Sequence, residues 1–157
     1  MKIATDTPWL STEQQRVWRA FLGGTTVLTD RLDRDLRTSH GLSMPEYEIL
    51  VRLSEAPDRS IRMAELADAV SHSRSRVTHT IARLEREGIV QRGQCSADGR
   101  GVSAHLTDHG FSILEQAAHT HVRGVNDYLI ENASPEDLEA LGRVMQKVVE
   151  TLQGKQF

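Results

Sequence analysis

Cysteine is almost absent from this 157-residue chain: Cys95 stands alone, so no intrachain disulfide can staple the fold. Aromatic residues make up only 4%, which leaves Leu, Val, Ile and Ala to build a core. No apolar run approaches the roughly 18 residues that a membrane-spanning helix needs. The opening MKIATDTPWLSTEQQ holds no apolar stretch of signal-peptide length. Together these absences predict a soluble cytoplasmic protein with no membrane partner. Repeats and low-complexity tracts are missing as well. So are the patterns of common catalytic sites: no nucleophile elbow, no P-loop, no HExxH pair. An enzyme is therefore not expected. The histidines at 40, 72, 79, 105, 109, 119 and 121 include the close pairs His105 with His109 and His119 with His121. None joins a compact set of cysteines or carboxylates at ligand spacing, so neither a metal nor another cofactor is expected.

Positive charge is scarce overall, since the net charge is −3, but it is unevenly placed. Residues 72–100 hold Arg74, Arg76, Arg83, Arg86, Arg92 and Arg100 against Glu85, Glu87 and Asp98, a surplus of three positive charges. A basic segment on an acidic body is the electrostatic footprint of a module that meets a polyanion at one face. A plain solvated helix is the alternative that charge alone leaves open.

Punctuation divides the chain into six helical segments and one hairpin. The first helix starts after Ser11 or Thr12, either of which can cap it with Gln14 or Gln15 reaching back. Gly23-Gly24 weakens its middle and leaves room for a kink, and Gly41 suits its C-terminal stop. Ser43 and Glu46 have capping-box spacing for the second helix, with Pro45 in the first turn. "APDRS" reads as a turn, and a short helix "RMAELADAV" follows. After residue 88 the period changes: Val102, Ala104 and Leu106 alternate with Ser103 and His105, and "SADGRG" is a turn signal. That predicts a two-stranded hairpin. Thr107 can cap the next helix, and Ser134 and Pro135 open the last one. In the last helix Leu138, Leu141, Met145, Val148 and Leu152 recur every three or four residues, a narrow stripe like a coiled-coil seam. Long helices at both chain ends exceed what a small core can cover, which favours a homodimer contact.

The segment "SHSRSRVTHTIARLEREGIV" is the most informative. With Val77 at zero and about 100° per residue, Ile81 and Leu84 fall within about 40° of it and point inward. Ser75, Arg76, His79, Arg83 and Arg86 fall away from that side. Arginine can bond guanine O6 and N7 together, and serine can bond several base edges. The short helix, the tight turn and this second helix make a helix-turn-helix, whose second helix enters a major groove. The hairpin that follows makes the winged variant. At its tip Arg100 can extend into a minor groove, and Asp98 can bond that guanidinium and hold it. The expected fold is mainly α with a small β-hairpin wing. Residues 41–107 form the DNA-binding lobe, with the recognition helix at about 73–87 and the wing at about 89–106. Residues 1–40 and 108–157 form a helical dimerisation region.

The order "LSMPEYEILVRLSEAP", "IRMAELADAVSHSRSRVTHTIARLEREGIVQR" and "DGRGVSAHLTDHG" resembles the MarR family of transcriptional regulators. The likeness runs from "RVWRAFLGGTTVLTDRLDRDL" to the final helix, and "RLEREGIVQR" and the wing D-x-R before "LTDHG" are its most specific parts. The resemblance implies a homodimer with helical dimerisation regions at both termini. It implies a partner in double-stranded DNA, repression of the protein's own or a neighbouring gene, and release by a ligand or oxidant. It carries recognition-helix roles to Ser73, Arg74, Ser75, Arg76, Thr78 and His79, a backbone contact to Arg83, and the wing pair to Asp98 and Arg100.

In that family small aromatic or phenolic acids bind between the dimerisation region and the DNA-binding lobe. The matching positions are Trp18, Phe21, Met44 and Tyr47, with Arg52 or His40 to meet a carboxylate; these same residues also suit ordinary core and interface places. Peroxide-sensing members use a cysteine near the start of the first long helix, where this chain has none, and Cys95 has no resolving partner. The rival reading is a winged-helix protein-interaction module without specific DNA binding.

Overall fold

The computed structural model describes residues 7–70, 73–94 and 101–153. Helix α1 (Thr12–His40) begins at a reciprocal cap: Gln14 N donates to Ser11 Oγ at 3.2 Å, and Ser11 N donates to Gln14 Oε1 at 2.9 Å. The helix is continuous across Gly23 and Gly24. Gly41, at φ 68°, stops it and donates its N–H to Arg37 O. Helix α2 (Met44–Glu55) opens on the expected Ser43–Glu46 capping box.

The expected two-stranded hairpin is part of a larger sheet. "APDRS" holds a 3-10 turn at Pro57–Arg59, and strand β1 (Ser60–Arg62) follows. With β2 (Val90–Gln94) and β3 (Val102–Leu106) it forms an antiparallel sheet in the order β1-β3-β2. Ile61 stands opposite Ala104, and Arg92 stands opposite Ala104 on the other side. Three residues are too few to show an alternation of their own; β1 exists because β3 supplies its partners.

Helices α3 (Met63–Ala69) and α4 (Arg74–Arg86) make the helix-turn-helix, and α4 buries Val77, Ile81 and Leu84 as the wheel predicts. Those three join Leu36, Leu50, Leu53, Leu66, Leu106 and Leu114 in one core that spans α1 to α5. Helix α5 (Asp108–Tyr128) is capped by Thr107, whose Oγ1 accepts from Gly110 N at 3.0 Å. It lies along the C-terminal half of α1, where Tyr128 Oη donates to Asp35 Oδ2 at 2.8 Å and His40 Nε2 meets Thr120 Oγ1 at 2.7 Å.

Helix α6 (Pro135–Gln153) follows a break at 130–132. None of residues 135–152 is buried, and Leu141, Val144, Val148 and Leu152 of its apolar stripe are exposed. The N-terminal half of α1 likewise exposes Val17, Trp18, Leu22 and Val27. Among the described residues no helix is long and apolar enough to cross a membrane.

Candidate nucleic-acid interface

The inward stripe of α4 fixes what it shows to solvent. With Val77, Ile81 and Leu84 buried, Ser73, Arg74, Ser75, Arg76, Thr78 and His79 all stand exposed on the first two turns. Ser73 is the N-cap, its Oγ accepting from Arg76 N at 3.3 Å. Thr78 turns its hydroxyl back to Arg74 O at 2.9 Å, which spends its proton within the helix. The side chains of Arg74, Ser75, Arg76 and His79 make no hydrogen bond or ion pair with described residues.

This first turn holds no acid. A helix N-terminus carries about half a positive charge, so arginines there oppose the dipole by a few tenths of a kcal/mol up to about 1 kcal/mol each. An anion laid against the turn reverses that sign, since backbone N–H groups, dipole and guanidinium groups then all attract it. The surplus charge read from the sequence is thus concentrated here. Arg92 of the same segment is paired instead: it bonds Glu85 through Nε at 2.8 Å, and Arg92 N donates to the same carboxylate at 3.1 Å. Those bonds hold the Glu85 carboxyl below its usual range.

Arg83 departs from the outward place expected of it. Its Nε donates to Glu46 Oε1, Nη2 donates to Glu46 Oε2 at 2.8 Å and to Gly41 O at 3.2 Å, and Nη1 donates to Glu87 Oε1 at 3.0 Å. The wheel puts it about 120° from Val77, on the flank of the helix. A side chain that long bends from the flank onto the α2 N-terminus. Burial opposes the charge of Glu46, yet the bonds from Arg83 and Ser43 outweigh it and keep the carboxyl below its ordinary range.

Asp98 and Arg100, the expected wing pair, lie outside the described residues, as do Cys95 and His72. Strand β2, which ends just before that segment, packs against α4. On the outer face of the sheet, Arg62, Gln91, Ser103 and His105 line an open groove of about 560 Å³. Sequence pattern gives this face no role, because β1 has no signal there.

The model of the MarR family matches residues 42–102, the stretch from the α2 cap to the start of β3. The fold superposes on Sco3205 of Streptomyces coelicolor, solved in complex with DNA, with a TM-score of 0.90 and 41% identity over 96% of this chain and 94% of that one. AbsC of the same organism gives 0.88 and 40% over 95% of this chain and 100% of that one. The regulator PecS of Dickeya dadantii (strain 3937) is 29% identical over 82% of this chain and 80% of its own.

The chain belongs to the MarR family. It is a MarR-family transcriptional regulator, and the family is not one of enzymes. The effector residues expected from the MarR resemblance are spread over α1 and α2. Trp18 and Phe21 pair with each other, ring centroids 6.0 Å apart, near the start of α1. His40 ends the same helix, about 33 Å from Trp18 at 1.5 Å per residue. Met44 and Tyr47 stand with His40 at the junction of α1, α2 and α5, where Tyr47 is buried against His121 with ring centroids 4.6 Å apart. Arg52 lies in the last turn of α2, more than a turn beyond Tyr47. His121, weighed in the sequence only as a close pair with His119, has its Nδ1 buried with no hydrogen-bond partner among the described residues. Among the described residues no three His, Cys, Asp or Glu side chains gather as a metal-binding group.

Proposed function

We propose that this MarR-family regulator is a cytoplasmic homodimer that represses transcription by seating its two α4 helices in successive major grooves of a pseudo-palindromic operator. The observation that carries the reading is the first two turns of α4: two arginines, a serine and a histidine without internal partners, on a helix end that favours anions. Ser75, Arg76 and His79 read bases. Ser73, Arg74 and Thr78 flank them at the backbone, with N–H groups of the helix end. Asp98 and Arg100 at the wing tip reach the adjoining minor groove. Sco3205, at 41% identity, was solved in complex with DNA, which supports the same partner here.

The dimer rests on surface that a monomer leaves uncovered. Exposed Val17, Trp18, Leu22 and Val27 on α1 and Leu141, Val144, Val148 and Leu152 on α6 make apolar faces on both terminal regions, 1–40 and 108–157. Residues 41–107 then form the DNA-binding lobe. Two recognition helices related by a dyad stand about 34 Å apart, one turn of DNA. A small aromatic acid at the α1–α2–α5 junction, beside His40, Met44 and Tyr47, releases the operator.

The test is a gel-shift titration against the gene's own upstream DNA at several salt concentrations. A sequence-specific excess with a steep salt slope is the expected result. Absence of binding to that DNA at low salt contradicts it and favours the protein-interaction module.

A further inference from the structure

Besides its buried stripe and the Glu85–Arg92 pair, the recognition helix is tied to the α1–α2 elbow by an arginine. Arginine has five N–H donors. Arg83 uses its fork on both oxygens of Glu46, on Glu87 and on the carbonyl of Gly41. Glu46 is 6% exposed, and its Oε2 also accepts from Ser43 N at 2.7 Å. The carboxylate therefore serves two structures at once, the α2 cap and the side of α4. Gly41 is the residue that ends α1. On the far side of the same elbow, Asp33 of α1 accepts from Met44 N at 2.8 Å through Oδ1 and from Arg37 Nε at 2.6 Å through Oδ2.

The bonds run without a gap from α1, through the first turn of α2, to the recognition helix. Arg83 sits in the last turn of α4, beyond the first two turns that carry Arg74, Arg76 and His79, and its fork is directed at residues 41 and 46. A guanidinium so engaged is poorly placed to hold a phosphate, because a two-point grip on an anion needs the donors already given to Glu46.

We propose that Arg83 is a positioning residue: it locks the recognition helix to the α1–α2 elbow and so sets the angle, and the spacing across the dimer, at which two such helices meet DNA. The proposal rests on the DNA-binding reading above. It makes Glu46 as necessary for operator recognition as Arg83, although Glu46 faces no DNA. It also removes Arg83 from the set of phosphate-binding residues.

Four variants test it in the full-length protein: Arg83→Gln, Arg83→Lys, Glu46→Gln and the double variant Arg83→Gln/Glu46→Gln. Glutamine at 46 keeps the capping bond that the α2 start requires, so Glu46→Gln folds even where Arg83→Gln strands a buried carboxylate. Thermal melts identify the variants that are folded at the assay temperature. Dissociation constants are then measured on the upstream operator at several salt concentrations, and on copies with one base pair added or removed between half-sites. Glu46→Gln is expected to weaken binding about tenfold and Arg83→Gln by a similar factor, with the double variant no worse than the weaker single. The slope of log K against log salt stays that of the parent, and the penalty for altered spacing shrinks. Simple destabilisation would leave the spacing preference unchanged, and that result overturns the proposal. So does a Glu46→Gln variant that binds like the parent while an Arg83 variant drops about one unit of salt slope, as expected of a residue that grips a phosphate. A parent with no sequence preference overturns the DNA reading and this proposal together.

Discussion

Gly110 in the first turn of α5 lies against the carbonyl of Ile89 at the mouth of the wing. A Cβ built at Gly110 would stand 2.1 Å from Ile89 O and 2.8 Å from Leu106 Cδ1. The same carbonyl accepts from Thr107 N at 3.1 Å and from Thr107 Oγ1 at 3.0 Å, so it cannot retreat without losing those bonds. Glycine to alanine inside a helix normally stabilises by 0.5–1 kcal/mol, roughly. Here the sign reverses. Gly110→Ala should cost about 1–3 kcal/mol through overpacking, which at this chain length lowers the melting temperature by roughly 3–10 °C. A variant that melts at or above the parent would show that α5 and the wing are not packed this closely.

Salt dependence separates the arginines. Arg76→Ala and Arg74→Ala remove unpaired charges from the first turn of α4. Each should weaken operator binding by about tenfold or more and reduce the salt slope by about 1 for every phosphate the side chain neutralises. Arg92→Ala removes an arginine already bound to Glu85 and should leave the slope near the parent value. Arg100→Ala, at the position proposed for the wing contact, should weaken binding severely while sedimentation still reports a dimer. Equal binding by parent and Arg100→Ala at matched salt would remove the wing from the interface.

Much of the fold is legible in the sequence because its signals are local. Ser11 with Gln14 and Ser43 with Glu46 cap their helices over a span of three residues, and Val77, Ile81 and Leu84 share one face of a single helix. What escapes depends on distant partners. Strand β1 has no period of its own and is made by β3, more than forty positions away. Glu46 reads as a cap in the sequence, yet its second role as the anchor of Arg83 depends on two helices crossing. Trp18 and His40, both expected at an effector site, sit on one continuous helix whose rise separates them along its length. Val102 continues the apolar alternation of β3 but lies beyond the core, where it is exposed.

Two of the shifted groups, His121 and Glu46, contribute to the pH dependence of stability in separate windows. Burial against Tyr47 lowers the pKa of His121 below its usual 6.5. The unfolded chain then binds the proton more readily, so stability is complete above about 6.5 and falls as pH drops through and below that value. Glu46 titrates below its usual range because its bonds with Arg83 and Ser43 outweigh burial. Its contribution is present above about 4.3 and is lost as pH falls further. Melting temperatures between about pH 2 and 8 should show both limbs. His121→Phe should flatten the upper limb and leave the lower one, and Glu46→Gln should reduce only the lower; an upper limb unchanged in His121→Phe would assign it to another group.

An acid in the exposed stripe of α6 should separate the subunits. Val148 is 42% exposed in one chain. If a second copy covers it, Val148→Asp buries an uncompensated charge, which costs several kcal/mol and weakens self-association at least a hundredfold. Analytical ultracentrifugation at micromolar concentration should find a folded monomer that has lost tight operator binding. A variant that stays dimeric would move the interface elsewhere.

The most direct single measurement is a hydroxyl-radical footprint of the protein on its upstream DNA. Two dyad-related recognition helices should protect two patches on each strand, centred about 10 base pairs apart on one face of the duplex. One protected patch from a single subunit, or uniform protection without sequence preference, would contradict a paired grip on one operator.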